Sequence, residues 1–257
     1  MNILEEFARI APLYDLDYGD FEDDIDMYLN YAQRTGAPIL ELGVGTGRLA
    51  RSLVDDGYRV VGIDQSKDML DICRAKLSGY DSHLAELLLG DIRDFKIEER
   101  FNLAICAANS FGHLLSRNEQ RASLSCTRAL LNPDGLLILD LDNPERRLAV
   151  EREGELVLQW TKTSPKTGNR VIKLVSSYFE HPKQLQHFTF IYDEMDKAGA
   201  VTRTLASFPL RYSFRAEVEL LLEATGYLVE SVYGGYYLEE FDEDSDRIIV
   251  VARPKSL

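Results

Sequence analysis

Residues 39–47 read Ile-Leu-Glu-Leu-Gly-Val-Gly-Thr-Gly, an apolar strand running into three alternating glycines, and a second apolar run closes on Asp64. Glycines let a backbone turn sharply off a strand and let a ligand approach without meeting a Cβ. A carboxylate at the end of the next strand accepts hydrogen bonds from two ribose hydroxyls. The pattern therefore predicts a nucleotide-type cofactor site at the first turn of an α/β sheet. A dinucleotide fold places its third glycine three positions after its second, at position 48, where this chain carries Arg48. A diphosphate held on a helix N-terminus needs that close packing and a free cluster of backbone N–H groups. S-adenosylmethionine has no phosphate and tolerates Gly43, Gly45 and Gly47 followed by a bulky arginine. The spacing favours this cofactor and makes an NAD-dependent oxidoreductase the weaker alternative.

Outward from the glycines, Ile25, Tyr28, Leu29 and Ala32 recur at helical spacing, which predicts a helix from Glu22 to Arg34 ahead of the strand at 38–42. Downstream, residues 47–56 read as a helix, 58–63 as a strand, 66–77 as a helix and 85–89 as a strand. An apolar run from Phe101 to Ala107, a helix from Asn118 to Leu131, a Pro133-Asp134-Gly135 turn and a strand from Leu136 to Leu141 follow. Alternating elements with little polar alternation inside the strands imply a parallel sheet covered on both faces. From Val150 to Tyr212 the period changes to short runs separated by Pro165-to-Gly168, His181-Pro182 and Lys197-to-Gly199, the signature of an antiparallel meander. A helix from Phe214 to Thr225 and strands at 227–233 and 247–252 then resume the first pattern. The expected architecture is a Rossmann-like α/β fold, a seven-stranded mostly parallel sheet with helices on both faces, with an inserted antiparallel β meander. Residues 1–149 and 213–257 form the cofactor-binding domain in this division, and 150–212 the insertion, read as a substrate lid or as the element of a homodimer.

A chain of 257 residues with 45% hydrophobic content suffices for a buried core. Its net charge of −14 opposes binding of DNA or RNA, which requires a basic face to displace counterions. Cys73, Cys106 and Cys126 show no paired spacing and stand apart from the four histidines, so no disulfide framework and no metal site is expected. The acidic N-terminal residues and the lack of an apolar run of about 18 residues argue against a signal peptide and a membrane span. A cytoplasmic location is the expectation.

Taken together these motifs resemble the class I S-adenosylmethionine-dependent methyltransferases. Glu41-Leu-Gly-Val-Gly-Thr-Gly47 is similar to the family's first motif, Gly-Ile-Asp64 to its ribose-binding acid, and Gly90-Asp91-Ile92 to its adenine-binding turn. The stretch Cys106-Ala-Ala-Asn-Ser-Phe-Gly-His-Leu114 resembles the corresponding turn of glycine N-methyltransferase. Tyr14-Asp15, Gly90-to-Phe95 and the antiparallel insertion resemble the amino-sugar N,N-dimethyltransferases. The resemblance implies methyl transfer to a small molecule at an amine nitrogen, with S-adenosyl-L-homocysteine as the product. An O-methyltransferase and a catalytically silent binder of S-adenosylmethionine are the alternatives.

The resemblance also assigns roles. Glu41, Gly43, Gly45 and Gly47 would hold the methionine portion of the cofactor, Asp64 and Gln65 its ribose, and Met69, Asp91 and Ile92 its adenine. The Ala107 carbonyl would meet the methionine amino group. Tyr14, placed ahead of the first helix, would lean over the sulfonium, where an aromatic face is favourable by about 0.5–2 kcal/mol. Asn109 and His113 lie past the fourth strand, where an acceptor meets the methyl group, and His113, with an ordinary pKa of about 6.5, is the most attractive proton acceptor. Tyr14 and Tyr212 are further candidates. Asp142 falls where the glycine enzyme has an arginine for the substrate carboxylate, which disfavours glycine. Residues Asn109 to Gly112 lack the Asn-Pro-Pro-Tyr pattern of enzymes that methylate exocyclic base nitrogens.

Overall fold

The computed structural model describes residues 3–150 and 153–255. The first two residues of the expected 1–149 segment, residues 151–152 of the insertion and the last two of 213–257 lie outside them. The chain begins with helix α1 (Ile3–Tyr18), then α2 (Ile25–Thr35), and enters an alternation of β1 (Ile39–Leu42), α3 (Arg48–Asp55), β2 (Val60–Asp64), α4 (Lys67–Leu77), β3 (Ala85–Leu89) and β4 (Phe101–Cys106). A single 3₁₀ turn at Ser110–His113 leads to α5 (Arg117–Leu130), β5 (Leu131–Asp142) and α6 (Pro144–Val150). Strands β6 (Val157–Thr163), β7 (Arg170–Glu180), β8 (Leu185–Met195) and β9 (Val201–Arg211) form the meander, and α7 (Arg215–Ala224), β10 (Tyr227–Tyr233) and β11 (Arg247–Pro254) close the chain.

Seven strands form one sheet in the order β10-β11-β5-β4-β1-β2-β3, and β6-β7-β8-β9 form a separate four-stranded sheet. Strands β1 to β5 pair in parallel, and β11 alone runs antiparallel to its neighbours β5 and β10. All four residues of β1 are buried. Ile39, with Leu103 and Ile105 of β4, faces the core under α2, α3 and α4. Leu40 and Leu42, with Ala104 and Cys106, face the opposite core under α5 and α7. Sequential strands run outward from β1 to β3, and the chain then returns to place β4 on the other side of β1. That reversal opens a crevice at the carboxyl ends of β1 and β4, where open α/β sheets bind ligands.

Three local readings differ from the sequence expectation. Residues 3–18 form a helix, so Tyr14 sits inside α1 and not ahead of the first helix. The helix carries Pro12 and scattered acids, and it is stabilised by burying Ile10 and Ala11 against the meander and α4. Pro133-Asp134-Gly135 belongs to β5, which starts at Leu131 opposite Phe101 and shifts register before Leu103. Asn143 accepts from the backbone N–H of Glu145 at 3.1 Å and opens a short helix, α6, that the sequence pattern does not announce.

The meander is two-faced. Its inner face, with Val171, Phe188, Phe190, Tyr192, Ala206 and Phe208, packs on α1 and Met69 as a third apolar core. Helix α1 is thus the layer between the four-stranded sheet and the crevice at the strand ends. Asp17 ties it to the meander, accepting from Tyr192 Oη at 2.7 Å and Trp160 Nε1 at 2.6 Å and pairing with buried Lys173. Asp15 ties it to the crevice, accepting from Thr46 Oγ1 at 2.7 Å and Lys76 Nζ at 2.8 Å.

Candidate active site

Two cavities open side by side at the carboxyl ends of the parallel strands. The first, about 400 Å³, runs along Gly43, Gly45, Asp64, Gln65, Met69, Asp91 and Ile92. The second, about 340 Å³, lies between Glu41, Ala107 and Asn109 on one side and Phe188, Phe190 and Phe208 of the meander on the other. Tyr14, Gly43, Gly45 and His113 line both, so they form the boundary between them.

The glycine loop is built for contact on one side. At Gly45 the backbone is left-handed (φ 55°), and a Cβ there would meet no protein atom within 4 Å, so its open side faces the cavity. Gly47 lines neither cavity. It begins α3 in a left-handed conformation (φ 80°), and a Cβ on it would run into the side chain of Cys73.

Asp64 ends β2 beside this loop. Its Oδ2 accepts from Gly45 N–H at 2.9 Å and its Oδ1 from Ser66 N–H at 2.8 Å. Burial pushes its pKa up, opposed by these backbone donors. Each oxygen keeps acceptor capacity for a ligand hydroxyl. Ser66, not Asp64, caps α4 by accepting from Met69 N–H at 3.4 Å. Asp91 is more committed, since its carboxylate is gripped by the Arg93 guanidinium, which holds its pKa down, and Arg93 reaches on to Glu119 of α5.

Glu41 is 3% exposed and its Oε2 has no hydrogen-bond partner. Burial pushes its carboxyl up to about 8. A buried carboxyl with an unpartnered oxygen in a cavity wall fits a cationic group. With the open side of Gly45 and the remaining acceptors of Asp64, it makes a site that fits a nucleoside carrying an ammonium, as S-adenosylmethionine does.

The proposed proton acceptors are perturbed away from that task. His113 is packed edge-on against Phe7 (ring centroids 5.1 Å) and beside Phe208 (5.8 Å), with Nδ1 unpartnered, and burial drives its pKa down to about 4. Burial, with the nearby charge of Asp64, raises the Tyr14 phenol. Tyr212 lies in neither cavity, and its hydroxyl stands 3.2 Å from His181 Nδ1. Asp142 is not a lone acid. It pairs with Arg147 at 2.6 Å and with Arg247, and accepts from Asn109 Nδ2 at 3.1 Å.

Arg93, Arg247, Asp140 and, in the meander, Phe190 and Phe208 were not singled out by sequence, whereas Phe188 was read as an aromatic wall and lines the second cavity. A basic residue directly after the Asp91-Ile92 turn was a usable signal for Arg93. No local pattern marks the others, because they converge only in the folded sheet, as Arg247 and Asp140 do across 107 residues of chain.

Residues 39–135 match the family model described as a methyltransferase domain. Over its full length the chain superposes on the CcbJ methyltransferase of Streptomyces caelestis with a TM-score of 0.83, 26% identity and 100% coverage of both chains. The chain carries an S-adenosylmethionine-dependent methyltransferase domain. The methyltransferase is 33% identical to the dTDP-3-amino-3,6-dideoxy-alpha-D-glucopyranose N,N-dimethyltransferase of Streptomyces fradiae over 52% of its length, a match that spans about half of that enzyme (53%). It is 28% identical to the glycine/sarcosine N-methyltransferase of Halorhodospira halochloris over 88% of its length and 79% of that enzyme. S-adenosylmethionine is the cofactor of the family.

Proposed function

We propose that this methyltransferase moves a methyl group from S-adenosylmethionine to an amine nitrogen of a small molecule held in the second cavity. The observation that carries this reading is the second cavity itself, which adjoins the cofactor crevice across Tyr14, Gly43 and His113 and is walled by phenylalanines from the meander. The names of the Streptomyces fradiae and Halorhodospira halochloris enzymes, both N-methyltransferases, support the choice of nitrogen. The net charge of −14 argues against nucleic acid as the acceptor.

The cofactor supplies an electrophilic methyl group on sulfur. The protein's task is to exclude water and align a nitrogen lone pair with the bond that breaks, with reacting atoms about 3–3.5 Å apart. Glu41 and the Gly45 backbone would hold the methionine portion, Asp64 and Gln65 the ribose, and Met69 and Ile92 the base. Tyr14 stays a phenol at neutral pH and offers an aromatic face and an oxygen lone pair. His113, neutral above about pH 4, is too weak a base to take a proton from an ammonium. The acceptor must therefore enter as the free amine, and the aromatic wall then favours the cation that forms on nitrogen.

The test is a panel containing dTDP-3-amino-3,6-dideoxyglucose, sarcosine, other secondary amines and their hydroxyl analogues, each incubated with S-adenosylmethionine. Release of S-adenosylhomocysteine with a one-methyl mass gain is expected for amines only. Transfer to the hydroxyl analogues, or tight cofactor binding with no transfer across the panel, would refute the assignment.

A further inference from the structure

Ala108 (φ 49°) and Asn109 (φ 60°) are consecutive non-glycine residues in the left-handed region, the only adjacent pair of this kind among the described residues. They directly follow the β4–Ala107 segment, and Ala108 lines both cavities. Side chains rarely adopt this conformation unless their surroundings impose it, and such strain collects at functional sites.

What imposes it is the end of β5. Asp140, fully buried, accepts from Ala108 N–H at 2.9 Å through Oδ2, and its backbone oxygen accepts from Asn109 N–H at 3.0 Å. Asp142, two residues on and on the same face of the strand, accepts from the Asn109 side-chain amide at 3.1 Å. The two carboxylates are held together by one residue. Arg247 opens β11 in register with Asp142, with Ile249 opposite Asp140, and its guanidinium donates to Asp140 Oδ1 from Nε at 2.8 Å and from Nη2, and to Asp142 Oδ1 from Nη1. Tyr28 Oη (3.2 Å) and Tyr236 Oη (3.1 Å) complete the shell of Asp140.

We propose that Arg247 is a positioning residue. By holding Asp140 and Asp142 in one planar fork it sets the left-handed bend at 108–109, and through that bend the alignment of the Ala107 carbonyl and the Asn109 side chain between cofactor and acceptor. Its kinetic consequence rests on the methyl-transfer reading above, whereas the dependence of the bend on Arg247 does not. A lysine keeps the charge but is a compact point donor that cannot span both carboxylates.

The experiment compares wild type with Arg247→Lys, using hydrogen exchange by mass spectrometry and calorimetric titration with S-adenosylmethionine. Local opening of a segment is read directly by amide protection, so peptides covering 107–113 should exchange at least about tenfold faster while β1 and β2 stay protected. Cofactor affinity should stay within about threefold, and with any panel amine that the wild type methylates, kcat per calorimetrically counted site should fall at least about tenfold with acceptor KM little changed. Unchanged protection of 107–113 overturns the proposal, as does an equal rise in exchange across both sheets, which marks Arg247 as a general stability residue. Should Arg247→Lys not fold, Asp142→Asn removes one of the two charges that the fork grips and is read by the same peptides and outcomes. A panel with no methylated amine defeats the methyl-transfer reading alone, because the exchange measurement still decides the role of Arg247.

Discussion

At the scale of single residues, the glycine loop separates an open position facing the cavity, Gly45, from a packed one, Gly47. Gly45→Ala introduces a Cβ that meets no protein atom, so the fold should survive at the modest cost of a left-handed alanine, and S-adenosylmethionine affinity should drop by about tenfold or more. Gly47→Ala drives its Cβ into Cys73 and should lower the thermal midpoint instead. Calorimetry paired with a melting curve reads both, and a Gly45→Ala protein that binds normally would place the cofactor elsewhere.

Two titrations belong to the same scale. A cation settling beside Glu41 lowers its pKa from about 8, so cofactor binding at pH 7 should release a proton. Binding enthalpies measured in phosphate and in Tris should then differ, and Glu41→Gln should erase the difference. His113 runs the other way. Its folded pKa near 4 lies below the ordinary 6.5, so between those values the unfolded chain holds the extra proton and stability falls as pH falls. His113→Phe should remove that acid-side loss, which amounts to at most about 3 kcal/mol by pH 4. Urea titrations at pH 7 and pH 4.5 check it, and equal slopes with pH for both proteins would sink the assignment.

Among the elements, α1 depends on one buried charge pair. The Lys173 and Asp17 side chains are 5% and 7% exposed, and Asp17 also satisfies Tyr192 and Trp160. Removing one member leaves the other buried and unpaired, so Asp17→Ala should cost about 3–5 kcal/mol in denaturant unfolding. The double variant Asp17→Leu/Lys173→Met removes both charges and should recover much of that loss. If the double variant is as unstable as the single one, the loss comes from packing of α1 and not from the stranded lysine. The strands and most helices were legible because each carries its own period. α1 was not, since Pro12 and the acids at 5, 6, 15 and 17 blur its pattern and the apolar face of the helix is matched only by the distant meander and α4.

For the whole molecule, the second cavity exists only where the meander faces the parallel sheet. Phe188→Ala and Phe208→Ala remove wall from the acceptor side and should raise acceptor KM or lower kcat by about tenfold, while S-adenosylmethionine affinity stays within a few fold. Equal losses of cofactor and acceptor binding would show that these rings support the fold and not the acceptor.

The sequence by itself determined the parallel sheet, the glycine loop from Gly43 to Gly47, the acid at the end of β2 and the four-stranded insertion, because hydrophobic period and glycine spacing act over a few residues. Tertiary structure alone decided the chemistry of the site. It buried His113 among Phe7 and Phe208, and that burial lowers its pKa. It turned Asp142 from a free acid into one end of the Arg247 fork, and it committed Asp91 to Arg93. It also separated Tyr212 from both cavities. Charge state and reach depend on which distant side chains converge on a group, and strand register across 105 residues of chain, as between Asp142 and Arg247, is set only when the sheet closes.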